Sequence, residues 1–225
     1  MTLNQLSLDQ QAVLMLAALV LFTAFAMLAQ RNLFTIISIF AWQGLLLALT
    51  TVLVANISDQ SHLYFSALLT AALKAFFIPW LLRRLVAQLG LTREAEPAFN
   101  ITVILLIAAA LVVFSYYIVL PVEALATDLT RNTIAVGLAV LLLGMLMLIT
   151  RRKAINQVIG FMTMENGLFF TAVAATYGMP MVVELGIAFD VLVAAVLFGV
   201  FFFHIRSSID SLDVDRLNRL SEEEK

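Results

Sequence analysis

The chain has 225 residues, of which 63% are hydrophobic and 12% charged, and its formal net charge is −2. Soluble domains are roughly 45–50% apolar and about 25% charged, so this composition excludes an ordinary water-soluble domain and points to lipid. There is no cysteine, which excludes thiolate-bound iron–sulfur clusters, cysteine zinc sites and disulfides within this chain.

A helix needs about 20 apolar residues to cross a hydrocarbon core of roughly 30 Å. Seven such stretches follow one another, at residues 11–29, 32–55, 63–82, 99–120, 132–150, 154–176 and 180–204. The predicted fold class is therefore all-α, a polytopic membrane protein with seven transmembrane helices. Its short connections leave no room for a sizeable soluble domain. The first ten residues, "MTLNQLSLDQ", hold no Lys or Arg and no small-residue cleavage site clearly follows the first apolar run, so a cleaved signal peptide is not expected.

The charges flanking these spans are one-sided. Arg31, the Arg83–Arg84–Arg93 group, the Arg151–Arg152–Lys153 group and the four basic residues of the tail all fall on one side of the predicted topology. Opposite them stands only Arg131. By the positive-inside rule the N-terminus is outside and the C-terminus cytoplasmic.

The chain also reads as doubled. A slide of 122 positions lays Gln43 on Glu165, Arg31 on Lys153 and Ile37 on Ile159. A slide of 116 lays Lys74 on Asp190 and Ala72 on Ala188. The expected organisation is an N-terminal three-helix half (1–98), a connector helix and loop (99–131), a second three-helix half (132–204) and a cytoplasmic tail (205–225), with the halves forming a parallel repeat. Residue identity between the halves is low, and generic transmembrane composition produces similar patterns. The tail, "RSSIDSLDVDRLNRLSEEEK", reads either as a frayed polar end or as a short helix docking through Leu212, Leu217 and Leu220, capped by Asp213.

Three charges fall near mid-span: Lys74, Glu165 and Asp190. An ionised side chain there costs at least about 2.5–3.5 kcal/mol on insertion scales, so such groups face a bundle interior, a wet cavity or a partner. Glu165 and Asp190 lie on consecutive spans joined by a short loop, which makes them neighbours at one depth. Two close carboxylates do not both ionise easily, the condition for passing a proton, whereas a nearby Lys holds them ionised. The position of Lys74 decides between these regimes. The competing reading is that Lys74 pairs with one acid simply to join helices or to bind another subunit.

Accessory candidates are Gln43 and Asn166, which are mid-span amides, together with Glu184 and Pro79. Glu184 lies about 9 Å along the helix from Asp190 and reads first as an interfacial acid. Pro79 removes a backbone hydrogen bond five residues after Lys74, freeing the Ala75 carbonyl, and is read as a bend beside a buried charge or as an ordinary packing kink. Small residues flank the charges: Gly186, Asp190 and Ala194 recur every four positions, and Gly160, Gly167 and Thr171 share a face. His62 and His204 sit at span edges without metal-ligand spacing, and no phosphate loop or nucleophile motif occurs. No catalytic or metal-ligating residue is expected, and no nucleic-acid partner.

The runs "RRKAINQVIGFMTMENGLFF", "VELGIAFDVLVAAVLFGVFF" and "SLDVDRLNRL" resemble the hydrogenase-4 component E family of formate hydrogenlyase-type complexes over nearly the whole chain. Spans five to seven also resemble the small K-type membrane subunit of complex I and the C-type subunit of multi-subunit sodium/proton antiporters. By that resemblance Glu165 and Asp190 are channel carboxylates, with Asp where complex I relatives typically carry Glu, and Lys74 belongs to the same polar line. The resemblance implies a non-catalytic subunit of the bacterial or archaeal inner membrane. It would sit beside antiporter-like subunits and a membrane-anchor subunit. Iron–sulfur clusters and a nickel–iron site would be held by cytoplasmic redox subunits rather than by this chain. A subunit of a cation antiporter, a self-sufficient secondary transporter and a structural scaffold are the alternatives.

Overall fold

The computed structural model describes residues 8–58, 60–88, 100–121, 128–175, 185–197 and 199–200. The elements are α1 (Leu8–Ala29), α2 (Leu33–Ser58), α3 (His62–Gln88), α4 (Ile101–Val119), α5 (Asp128–Thr150), α6 (Ala154–Ala175) and α7 (Leu185–Leu197). All are helical, and no strand occurs among the described residues. Five helices are long and apolar enough to cross a membrane: α1, α2, α3, α4 and the Asn132–Thr150 part of α5. The sixth expected span coincides with α6, whose 22 residues would extend about 33 Å at 1.5 Å per residue. It is more polar, carrying Asn156, Gln157, Glu165 and Asn166. The seventh coincides with α7 at residues 185–197; the remainder of that span, Glu184 and the tail lie outside the described residues.

The exterior of the bundle is apolar. Phe22, Phe65, Phe76 and Tyr117 are each about two-thirds exposed or more, and a surface of this kind is stable only against lipid or another apolar body. The architecture is that of a multi-pass membrane protein.

Two tight hairpins form its centre. α1 and α2 are joined by residues 30–32, and α5 and α6 by residues 151–153. α1 packs on α5 and α2 on α6, while α3 lies against α2 and α4 against α1 and α5. The closest contact is between α5 and α6, where the backbones meet at glycines seven residues apart on each helix. A Cβ on Gly167 would stand 2.6 Å from the Gly137 carbonyl oxygen and 2.6 Å from the Leu141 nitrogen, so no larger residue fits. At 100° per residue, Glu165 lies about 140–160° around α6 from Gly160 and Gly167. The glycine face that seats α6 on α5 therefore turns Glu165 the other way.

Arg151 fastens the two hairpins at their linked ends. Counted from the sequence as a surface charge of a basic loop, it is 2% exposed. Its guanidinium donates to the carbonyl oxygens of Leu28 at 2.8 Å and Gln30 at 2.8 Å, with Met27 at 3.4 Å. These are C-terminal carbonyls of α1, which have no acceptor role left within the helix and sit at the negative end of its dipole. Burial, and then the positive charge of Arg31, pull the Arg151 pKa below the ordinary arginine value. Arginine still stays protonated, so the carbonyls are what compensate its charge.

Candidate functional site

The three mid-span charges meet. Lys74 of α3, Glu165 of α6 and Asp190 of α7 converge in the interior, with Lys74 and Asp190 both 0% exposed and Glu165 7%. The Lys74 ammonium forms an ion pair and hydrogen bond with Glu165 Oε2 and donates to Asn166 Oδ1 at 2.8 Å. On its other side Asp190 Oδ1 is 3.4 Å away. The Asp190 contact is an ion pair without a hydrogen bond: among the described residues neither of its carboxylate oxygens has a hydrogen-bond partner. The ring of Phe169 closes one face, its centroid 4.9 Å from Lys74 Nζ, an arrangement that favours a cation.

Local structure explains how each group arrives. Residues Ala71–Phe77 of α3 form a π-helical turn with Lys74 at its centre, and the Ile78 N–H donates five residues back, to Leu73. The irregularity expected around Pro79 thus takes the form of a widened turn that precedes the proline. Pro79 itself is buried at the start of the regular segment that follows. Such π-turns are found frequently at functional sites because they re-aim side chains relative to the regular helix.

On the opposite wall, α2 approaches this turn at Gly44. A Cβ there would stand 2.8 Å from both the carbonyl carbon and the Cβ of Lys74. Glycine is what lets the two backbones come this close. Gly186 leaves room on α7 for two side chains of α6, since a Cβ there would meet Phe169 Cδ2 at 2.9 Å and Glu165 Oε1 at 3.1 Å. Asp190 and Ala194 are buried on α7 with it.

An amide relay holds the cluster to the first hairpin. Asn166 Nδ2 donates to Gln43 Oε1 at 2.9 Å, and Gln43 Nε2 donates to the Val20 carbonyl of α1 at 3.2 Å. Both amides are fully buried. Four helices, α1, α2, α3 and α6, are thereby joined through one hydrogen-bonded line that ends on the lysine.

Of the residues singled out from the sequence, Lys74, Glu165, Asp190, Gln43 and Asn166 form one connected group. Pro79 flanks it, and Glu184 lies outside the described residues. Sequence reading missed Phe169, Gly44 and Arg151. Phe169 was within reach, since it follows Glu165 by four residues and so shares its helix face. Gly44 adjoins Gln43, but its role depends on the approach of α3. Among the described residues no group of His, Asp and Glu side chains has the arrangement of a metal site.

Chemically, one cation stands between two carboxylates. The described group carries one negative charge more than positive and becomes neutral on gaining one proton or one monovalent cation. An uncompensated buried charge is costly, and a single lysine compensates only one of the two carboxylates when both are ionised.

No protein-family profile matches the chain, and no solved structure matches it significantly. A protein of Mycobacterium tuberculosis described as "Uncharacterized protein Rv0085" is 35% identical over 192 residues, covering 85% of this chain and 87% of that protein. "Hydrogenase-4 component E" of Escherichia coli and of Shigella flexneri is 28% identical over 148 residues, covering 65% of this chain and 68% of each relative. The chain thus belongs to the family of the Mycobacterium tuberculosis protein Rv0085 and is distantly related to hydrogenase-4 component E.

Proposed function

We propose that this chain is a non-catalytic membrane subunit of a hydrogenase-type, ion-translocating oxidoreductase, in which Lys74, Glu165 and Asp190 carry a proton along the membrane interior. One observation carries the reading: the buried Lys74 ammonium is shared between carboxylates from two other helices, in unequal contact with them. The distant relation to hydrogenase-4 component E supplies the class of assembly.

In this reading all seven spans cross the inner membrane, with the N-terminus outside and the basic links and tail in the cytoplasm. The two three-helix halves, 1–98 and 132–204, are a parallel repeat joined by the connector. Redox chemistry, with its iron–sulfur clusters and nickel–iron site, belongs to cytoplasmic partner subunits; antiporter-like and anchor subunits lie alongside in the bilayer. Protonation of Asp190 neutralises the cluster and leaves Lys74 with Glu165. Loss of that proton restores the three-way arrangement. Lys74 is thus the internal counter-charge that allows Asp190 to exchange a proton without leaving two uncompensated carboxylates in a low dielectric. Gln43 and Asn166 hold the ammonium in place.

The test is proton uptake driven by the redox reaction in membrane vesicles carrying the assembled complex with Glu165→Gln and Asp190→Asn. Each single variant leaves Lys74 one carboxylate, so the complex should remain assembled while uptake is lost. A double variant that assembles and stays fully coupled would overturn the reading.

A further inference from the structure

We propose that the outer face of the α2–α3 pair holds an anionic phospholipid, with its headgroup on Arg83 and one acyl chain in the groove below. The groove is about 270 Å³ in volume, lined by Trp42 and Leu45 of α2 and by Ala75 and Phe76 of α3, with Ser38 and Arg83 at its mouth. The mouth lies at the end of the bundle marked by the links 30–32 and 151–153, since Ser38 is in the second turn of α2.

Three observations point to this ligand. First, the cation has no carboxylate partner among the described residues. Arg83 is exposed, and its Nη2 donates to Ser38 Oγ at 3.0 Å. A guanidinium in that state keeps donors free in a planar fork that matches a phosphate.

Second, the dimensions are those of one hydrocarbon chain. From Ser38 to Leu45 the groove runs about 10 Å along α2, giving a cross-section of about 25 Å². An extended chain can lie within such a groove, whereas an α-helix about 10 Å across would lie over it.

Third, the surroundings are those of a lipid interface. Trp42 is 63% exposed and Trp80 49%, and the Arg84 guanidinium stacks 5.2 Å from the Trp80 ring. Trp80, Arg83 and Arg84 in this combination anchor at headgroup level, with Trp42 below them along the groove. The proposal is independent of the charge cluster, because none of the residues lining the groove belongs to that cluster.

The chain has two tryptophans, Trp42 and Trp80, which supply the readout. In the full chain carrying Trp80→Phe, reconstituted into bilayers, fluorescence of Trp42 reports occupancy of the groove. Phosphatidylglycerol brominated midway along its acyl chains should quench it at about one-fifth the mole fraction needed by brominated phosphatidylcholine. The preference should vanish with Arg83→Gln. Arg152→Gln, which removes an exposed charge at the same end of the bundle but away from the groove, should leave it intact. Equal quenching by the two lipids would overturn the proposal, as would a preference lost equally in both variants, which would be diffuse surface attraction. Absence of quenching, the outcome if a protein surface covers the groove, would overturn it too.

Discussion

The Lys74 ammonium stands 3.4 Å from Asp190 Oδ1 without a hydrogen bond between them, while two of its three donors are taken by Glu165 and Asn166 on α6. The two carboxylates are therefore inequivalent: one is held, and the other is attracted but not tied. In the proposed relay Asp190 is the group that exchanges.

Asp190→Asn should then be the better tolerated of the two acid substitutions. It removes the charge in excess and leaves the Lys74–Glu165 pair intact. The expected outcome is a complex that assembles at wild-type level, with redox-driven proton uptake reduced at least about tenfold, a barrier change of about 1.4 kcal/mol. Native gel electrophoresis and vesicle acidification measure the two quantities separately. Full coupling in this variant would remove Asp190 from the path.

Lys74→Met should behave differently, because it leaves two carboxylates buried together with no counter-charge. Breaking a buried pair by deleting one partner costs about 3–5 kcal/mol. The variant should fail to accumulate in membranes. Adding Glu165→Gln and Asp190→Asn to it should restore accumulation without restoring proton uptake. If Lys74→Met alone assembles normally yet loses uptake, the lysine is not needed to join the helices; if the triple variant still fails to accumulate, charge compensation is not why the single one fails.

The amide relay makes a smaller and more local contribution. Gln43→Leu leaves Asn166 Nδ2 without its acceptor, while the Val20 carbonyl keeps the Thr23 hydroxyl as a donor. The cost should be about 1–2 kcal/mol, visible as a lowered midpoint of thermal unfolding of the purified chain. Gln43→Glu should be more harmful than Gln43→Leu, since it adds a third carboxylate beside an already negative group. An unchanged midpoint in both would show that the relay does not hold the cluster.

Gly44→Val tests whether backbone proximity positions the lysine. Its side chain would collide with the Lys74 backbone, which lies 2.8 Å from the place of a Cβ. α3 must move outward, carrying Lys74 away from Glu165 and Asn166. Coupling should fall in this variant while Ala48→Val, one helical turn further along α2, has a lesser effect; equal effects would point to general crowding.

Arg151→Met should destabilise the chain by about 1–3 kcal/mol, because C-terminal carbonyls of α1 lose a charged donor inside the protein. Arg151→Lys should recover only part of it, since the bonds to Leu28 and Gln30 both come from Nη2 at the far end of the guanidinium, one bond beyond where a lysine Nζ reaches. A fully stable Arg151→Met chain would mean that water replaces the guanidinium.

By itself the sequence determined the helical character and the approximate spans. Both follow from one local quantity, the length of apolar runs, which the requirement for internal backbone hydrogen bonding in lipid converts into helices. It also singled out Lys74, Glu165, Asp190, Gln43 and Asn166, because a polar side chain amid some twenty apolar ones is conspicuous whatever the packing. Only the tertiary structure decided how these residues stand to one another. Whether two carboxylates face each other or share a lysine depends on the rotation and separation of α3, α6 and α7. Those are set by contacts far apart in the chain: Gly167 against Gly137, Gly44 against Lys74, Gly186 against Glu165. The same holds for Arg151, an ordinary loop charge in sequence that becomes a buried cap once α1 ends beside it. Local hydrophobicity is additive along the chain and legible. Charge compensation is a property of distances between helices, which no single helix encodes.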